Sequence, residues 1–194
     1  MSAVETTGAE PRRGRLILVV GPSGAGKDSL IAWCRARLAG DAAVVFPRRI
    51  ITRLAADSSE DHDIVPEAAY GRMAANGDFA LHWRAHGLGY GIPASVAADL
   101  AAGRSVVVNV SRAVLDEARR RFPPVTVVSV TVPAAILADR LRRRNRESED
   151  DIAGRLARSG AYAVTGKDVV VLDNSGSIDL AGAALAAIIA AGPG

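Results

Sequence analysis

The stretch on which the fold turns is "GPSGAGKDSL", Gly21 to Leu30, which follows the apolar run "RLILVV" (15–20) and precedes "IAWCRARL" (31–38). A strand-like run before the glycines and a helix-like run after them form the setting in which a phosphate-binding loop works. Gly21, Gly24 and Gly26, with Pro22, Ser23 and Ala25 between them, let the backbone wrap a phosphate chain at close range. Lys27 then reaches the outer phosphates from the first turn of a helix whose dipole favours anions. An ordinary glycine turn before a helix is the competing reading, and the flanking runs weigh against it.

The next residue departs from the pattern. A hydroxyl normally follows the lysine and ligates magnesium; here Asp28 brings a full negative charge towards a polyphosphate. That is tolerable when a cation lies between the two, since hard oxygen ligands suit Mg2+ and the metal reverses the local electrostatics. Asp28 is therefore expected to ligate magnesium, directly or through water, while Ser29 donates to an inner phosphate. The alternative is a carboxylate placed at a helix start only because the dipole favours it there.

Working outward, apolar runs at Leu16–Val20, Val44–Phe46, Ser105–Val110, Val125–Val130 and Asp168–Leu172 read as strands. Helices are expected at 27–39, 94–102, 112–121, 133–144, 149–163 and 178–190. Continuous apolar strands alternating with helices describe a parallel sheet covered on both faces, an α/β three-layer fold. Residues 48–91 break the rhythm, mixing polar and aromatic residues; we expect an inserted lobe of short strands with one helix at 66–77 and a tight turn at "HGLGYG" (86–91). Residues 1–13 are expected to form a flexible tail before a single domain at 14–194.

Bulk composition narrows the function classes. The 194 residues include 24 Lys and Arg against 21 Asp and Glu, and lysine occurs only at Lys27 and Lys167. An arginine excess suits phosphorylated small molecules and nucleic acid alike, because the guanidinium fork matches phosphate oxygens. With two Trp, three Tyr and three Phe, the chain offers little stacking surface for nucleic acid. The single cysteine, Cys34, reads as a small core hydrophobe in a reducing compartment. No apolar stretch approaches the ~18 residues of a membrane span. A cytoplasmic protein with neither membrane nor nucleic-acid partner is expected; oligomeric state is left open, a homodimer included.

Six segments in order, "GPSGAGKDS", "RRIITR", "HGLGYG", "VNVSR", "RLRRRNRE" and "LDNSGS", carry a resemblance along nearly all of residues 15–190. The sequence resembles the guanylate kinase family of P-loop NTPases, and more closely the ribose 1,5-bisphosphate phosphokinase group within it, which serves phosphonate breakdown. The Lys-Asp-Ser ending of the loop looks like that group, whereas guanylate kinases usually carry Lys-Ser-Thr. The resemblance implies a phosphotransferase that takes ATP as donor, Mg2+ as cofactor and a phosphorylated sugar as acceptor. It also implies an acceptor lobe at about 48–91, a core at 14–47 and 92–194, and an arginine lid at about 140–156.

Site residues follow from the same likeness. Guanylate kinases grip the acceptor phosphate with a Thr-Arg-x-Pro-Arg segment; this chain keeps Thr52 and Arg53, has Ala56 at the second arginine, and gains Arg49. Tyr90 resembles the tyrosine that touches the acceptor phosphate, and Arg112 is a further phosphate partner. Where the family recognises guanine with a glutamate and an aspartate, the sequence is read as offering His82 and Asn109. Losing such a carboxylate costs ~2 kcal/mol or more for a base acceptor, which disfavours GMP. His62 reads equally as an acceptor contact or a solvated loop residue. His82 and His86, four apart, lack the carboxylate or cysteine that would complete a metal site, so acceptor contact or packing is expected of them. Trp83 reads as a packing residue.

Arg140, Arg144 and Arg155 match the family's lid arginines in spacing and would share one side of an unbroken helix. Mobile arginines closing over a transferring phosphoryl group neutralise its spreading charge and exclude water. Asn174 resembles an adenine-side residue, although "DNSGS" is an equally good turn. Two other function classes stay in view: a guanylate or other nucleoside monophosphate kinase, and a non-catalytic binding module of the same fold.

Overall fold

The structure, a computed structural model, describes residues 14–52, 62–143, 154 and 163–191. Its centre is a five-stranded, all-parallel sheet in the order β2-β7-β1-β8-β9, formed by β1 (Leu16–Val20), β2 (Val44–Val45), β7 (Ser105–Asn109), β8 (Val125–Thr131) and β9 (Val169–Asp173). All five residues of β1 are buried, because the strand is flanked by β7 on one side and β8 on the other and covered on both faces. Leu16 and Leu18 face one layer with α3 (Val96–Ala101), the 3-10 turn Arg112–Val114 and α4 (Leu115–Arg121). Ile17 and Val19 face the other, against α1 (Lys27–Arg37) and the C-terminal helix α6 (Ile178–Ala190). Each such side chain stabilises the layer by about 1.5–3 kcal/mol, which makes β1 the anchor of the loop that follows it.

Polar contacts fix the outer helices. Ser177 caps α6 by accepting from Leu180 N, and the buried Arg15 closes its other end, its Nη2 donating to Ile188 O (2.6 Å) and Ile189 O (2.9 Å). Burial lowers the pKa of Arg15, while the carbonyl end of a helix favours a cation there. Gly182 lets α6 lie against Trp33 of α1; a Cβ at that position would stand 2.5 Å from the indole.

Residues 48–93 carry a second, four-stranded sheet in the order β4-β3-β6-β5: β3 (Arg49–Ile51), β4 (His62–Ile64), β5 (Phe79–Ala85) and β6 (Leu88–Pro93). Helix α2 (Glu67–Asn76) packs over its outer face through Tyr70, which clusters with Ile50 and Phe79. The tight turn expected at "HGLGYG" is present but shorter than that stretch. Only His86 (φ 51°) and Gly87 (φ 73°) turn the chain, and Leu88 onward is strand. Gly89 and Gly91 sit in that strand because the Tyr70 and Phe79 rings lie against its backbone, where a Cβ would come within 2.8 and 2.3 Å of them.

Helix α5 (Ala134–Arg143) follows β8 and buries Leu137 and Leu141 against Gly24. The helix expected at 149–163 and the tail at 1–13 fall outside the described residues, apart from Gly154, which is helical, and Ala163. Among the described residues, no helix is long and apolar enough to cross a membrane.

Candidate active site

The C-terminal ends of the parallel strands gather the candidate residues, the edge at which open α/β sheets bind ligands. Gly21 leaves β1, Asn109 ends β7 and Asn174 follows β9. The loop is tight: Ala25 N donates to Pro22 O (3.2 Å), and Leu30 N to Gly26 O (3.0 Å) starts α1. Gly24 and Gly26 both hold φ 87°, a left-handed conformation that L side chains rarely adopt, and a Cβ on Gly26 would meet Asn174 Nδ2 at 2.6 Å. Lys27 Nζ donates to Gly21 O and Pro22 O, 2.9 Å each, so its ammonium sits across the mouth of the loop.

Asn174 braces this loop from behind. Its Nδ2 donates to Ala25 O (2.7 Å), its backbone carbonyl accepts from Arg140 Nη2 (2.8 Å), and it is 3% exposed. The turn reading also holds, since Ser175 N and Oγ both donate to the Asp173 carboxylate. Beside the brace opens a cleft of about 460 Å3 lined by Gly24, Gly26, Ser29, Arg140, Asn174 and Ile178, with Arg143 at its rim. Arg143, absent from the sequence-based set, is ion-paired to Asp139 one turn earlier (2.9 Å).

On the other side of the loop, Asp28 meets the second sheet. Its Oδ1 accepts from Asn109 Nδ2 (2.7 Å) and from Arg49 Nη2 (3.3 Å). Arg49 is paired with His62 across β3 and β4, and neighbouring Ile51 is paired with Tyr90 across β3 and β6. His62 is buried within β4, which removes the solvated-loop alternative. Tyr90 stacks on Trp83, ring centroids 5.4 Å apart and planes 4° off parallel; Trp83 is a buried packing residue, as its sequence context suggests.

His82 is not brought to this place. It is paired with Gly91, which in turn is paired with Ile50, and its ring lies near Phe79 (5.8 Å) and Tyr70 (6.3 Å) on the face covered by α2. The reason is alternation along β5: Leu81 and Trp83 point into the main core, so the residue between them points away. Arg112 opens the 3-10 turn just beyond β7, half-buried and three residues from Asn109. Arg53, Arg144 and Arg155 lie outside the described residues.

Two polar contacts that brace the second sheet were not foreseen from the sequence. Thr52 Oγ1 accepts from Gly89 N (2.7 Å) and latches β3 to β6. The Tyr70 phenol donates to Trp83 O (3.3 Å) and Tyr90 O (3.1 Å), and burial pushes its pKa up, which keeps it a donor. An aromatic residue on the apolar face of an expected helix was the one available signal for the latter.

Known proteins place these features in context. No family model matches the chain. It is 54% identical over 179 residues to the ribose 1,5-bisphosphate phosphokinase PhnN of Acidiphilium cryptum, covering 92% of this chain and 94% of that one. It is 46% identical over 170 residues to the protein of the same name from Brucella melitensis, 88% of each chain. Among solved structures, a guanylate kinase from Anaplasma phagocytophilum matches with a TM-score of 0.63 over 92% of this chain and 85% of that chain, at 19% identity, a likeness of fold alone. With identity of this height over almost the whole of both chains, this protein belongs to the ribose 1,5-bisphosphate phosphokinase PhnN family.

Proposed function

We propose that the protein transfers the γ-phosphoryl group of ATP to the 1-phosphate of ribose 1,5-bisphosphate, releasing ADP and 5-phosphoribosyl 1-diphosphate. The observation that carries the acceptor's identity is the 54% identity to the Acidiphilium cryptum phosphokinase over nearly the full length of both chains. The geometry agrees in kind: a phosphate-binding loop stands beside an arginine-bearing sheet, and Asn109 ends the strand at the position where guanylate kinases carry a base-recognising carboxylate.

In the reaction an oxygen of the acceptor's 1-phosphate attacks the γ-phosphorus while the bond to the ADP oxygen breaks. That oxygen is already ionised near neutral pH, so the chain needs no strong general base. Its residues position and neutralise. The loop amides and Lys27 hold the donor phosphates, and Arg49, with Arg53 and Arg112, holds the acceptor phosphates. His62, Tyr90 and Asn109 line the acceptor, and Arg140, Arg144 and Arg155 close over the transferring group. Residues of about 48–91 act as the acceptor lobe and about 140–156 as the lid of one domain at 14–194. The adenine occupies the cleft beside Asn174, and the protein works in the cytoplasm.

Asp28 supplies a hard oxygen at the start of α1, and no group of three or more His, Cys, Asp or Glu gathers among the described residues. That donor fits Mg2+, which takes one or two protein ligands and fills the rest with phosphate and water. Asp28 would hold it, directly or through water, while Ser29 donates to an inner phosphate, and bound there it neutralises phosphate charge.

The test is ADP release from MgATP with ribose 1,5-bisphosphate, ribose 1-phosphate, ribose 5-phosphate, GMP and AMP as acceptors. The sugar bisphosphate is expected to be used best. Preference for GMP would support a guanylate kinase instead, and absence of ADP with every acceptor would support a binding module.

A further inference from the structure

Asp28 does more in this structure than stand near a phosphate site. Its carboxylate joins three elements: the first turn of α1, the end of β7 through Asn109, and β3 of the second sheet through Arg49. The Arg49 side chain is 13% exposed and that of Asp28 is 41% exposed, so the arginine is the inner partner and the carboxylate reaches in to it. A hydroxyl at position 28, the group phosphate-binding loops usually carry there, is shorter by a carbon and lacks the charge. It would not hold a guanidinium and an amide at once.

We propose that Asp28 is a positioning residue for the acceptor: it fixes the Arg49 guanidinium and the Asn109 amide in the arrangement that the acceptor's phosphate and sugar meet. The inference rests on the sugar bisphosphate reading above. A guanidinium is a rigid fork whose aim is set by whichever of its edges is already bonded, and Nη2 is the edge given to Asp28. Asn109, 8% exposed, has its amide committed to the same oxygen, which orients its carbonyl as well. Position 28 thereby ties the acceptor's partners to the loop that holds the donor. The role is compatible with metal ligation, because a carboxylate has two oxygens, and the two roles respond differently to substitution.

The experiment compares Asp28→Ser, Asp28→Asn, Arg49→Ala and the Asp28→Ser/Arg49→Ala double variant, each checked for an unchanged melting temperature. Acceptor binding is read by titration calorimetry with ribose 1,5-bisphosphate in the absence of nucleotide and metal, and both KM values are read in the ADP-release assay. Asp28→Ser keeps a metal-ligating oxygen but loses the reach, and is expected to weaken acceptor binding about tenfold while the ATP KM moves less than about threefold. Asp28→Asn keeps an oxygen that accepts from both partners but loses the charge, and is expected to recover acceptor binding to within about threefold of the unaltered protein. The double variant is expected to bind the acceptor no worse than Arg49→Ala alone, since the two residues act as a unit. Unchanged acceptor binding in Asp28→Ser, or additive losses in the double variant, overturns the proposal. So does a shift confined to the ATP KM and the magnesium requirement. If Asp28→Ser fails to fold, Asp28→Asn decides: a tenfold loss of acceptor binding in a folded Asn variant overturns the positioning role. Failure of the underlying reading is distinct, appearing as no ADP release with this acceptor from the unaltered protein, and it overturns the proposal with it.

Discussion

The two sheets differ in how much of their hold is polar. In the five-stranded sheet, β1 is buried along its whole length and both faces are packed with Val, Ile and Leu. In the four-stranded sheet, Ala80, Leu81, Trp83 and Ile92 of β5 and β6 join the main core, while β3 and β4 are three residues each and, among the described residues, the apolar cluster under α2 gathers Ile50, Tyr70 and Phe79 with three half-buried neighbours. Polar contacts finish it: the Thr52 latch to Gly89, the Tyr70 phenol on two carbonyls, and Arg48 paired with Asp63 (3.0 Å). Burial is non-directional and indifferent to the ligand, so it suits the invariant task of holding a phosphate loop at a strand end. Hydrogen bonds and ion pairs carry direction and charge, so they suit the task that distinguishes one acceptor from another. The sheet that carries the phosphate loop is therefore set by packing on both faces, and the edge of the second sheet that carries Arg49 and His62, the proposed acceptor side, is set in larger part by polar geometry.

The largest effect should come from the donor side. Lys27→Ala removes the one ammonium across the loop mouth and is expected to lower kcat about 10²- to 10³-fold with the melting temperature unchanged, measured by ADP release and thermal unfolding. A comparable loss in stability would mean that the lysine serves the fold of the loop. Arg49→Ala comes next. It should raise the acceptor KM about 10- to 100-fold, the range of a charge-assisted hydrogen bond, and leave the ATP KM nearly unchanged. Equal rises in both would erase the division between donor and acceptor sheets.

That division also explains which parts of the molecule the sequence disclosed. The buried strands announced themselves as apolar runs, and α6 spans the expected 178–190 because Ser177 caps it and its alanine-rich run favours helix. The glycine loop was legible because its function needs backbone without side chains. In the second sheet the same signals misled. Gly89 and Gly91 look like turn residues, yet they are strand residues that make room for rings arriving from α2 and from β5 itself, which no local pattern reports. A register shift between Phe79 and Leu81 puts Phe79 and His82 on the α2 face, so the position taken from the family likeness for acceptor contact carries a packing histidine, the other role expected of it, while Leu81 and Trp83 face inward. His62 sits in a strand that a polar stretch conceals. Asp28 was legible as an oddity, but its partners lie 21 and 81 residues away and were not.

A smaller effect tests whether polar contacts within the core region touch catalysis. Arg119 of α4 grips Asp168, just before β9, through Nε (2.8 Å) and Nη2 (3.0 Å), and also donates to Thr165 O (3.0 Å). Both side chains are less than a third exposed. Asp168→Asn should lower unfolding stability by about 1–2 kcal/mol in a denaturant titration and leave both KM values as they are. A change in the acceptor KM would show that the core's polar contacts reach the second sheet.

The smallest effect lies in the packed layer between α1 and α6, where Cys34 is fully buried and burial pushes its thiol from the ordinary 9.0 up to about 11. At pH 8 the folded protein then holds roughly one thiol in a thousand as thiolate, so a disulfide reagent should label Cys34 only after denaturant is added. The sign of the pH dependence follows from the same shift. Above pH 9 the unfolded chain releases a proton that the folded chain retains, so stability present at neutral pH is lost as pH rises from 9.0 towards about 11. Cys34→Ala lacks this titration. Its unfolding free energy should fall less over that interval than the unaltered protein's, while ADP release at neutral pH stays the same. Rapid labelling at pH 8 without denaturant would mean that the α1–α6 layer opens readily, and the contrast between a sheet packed on both faces and a sheet edge finished by polar contacts would fail at its firmer end.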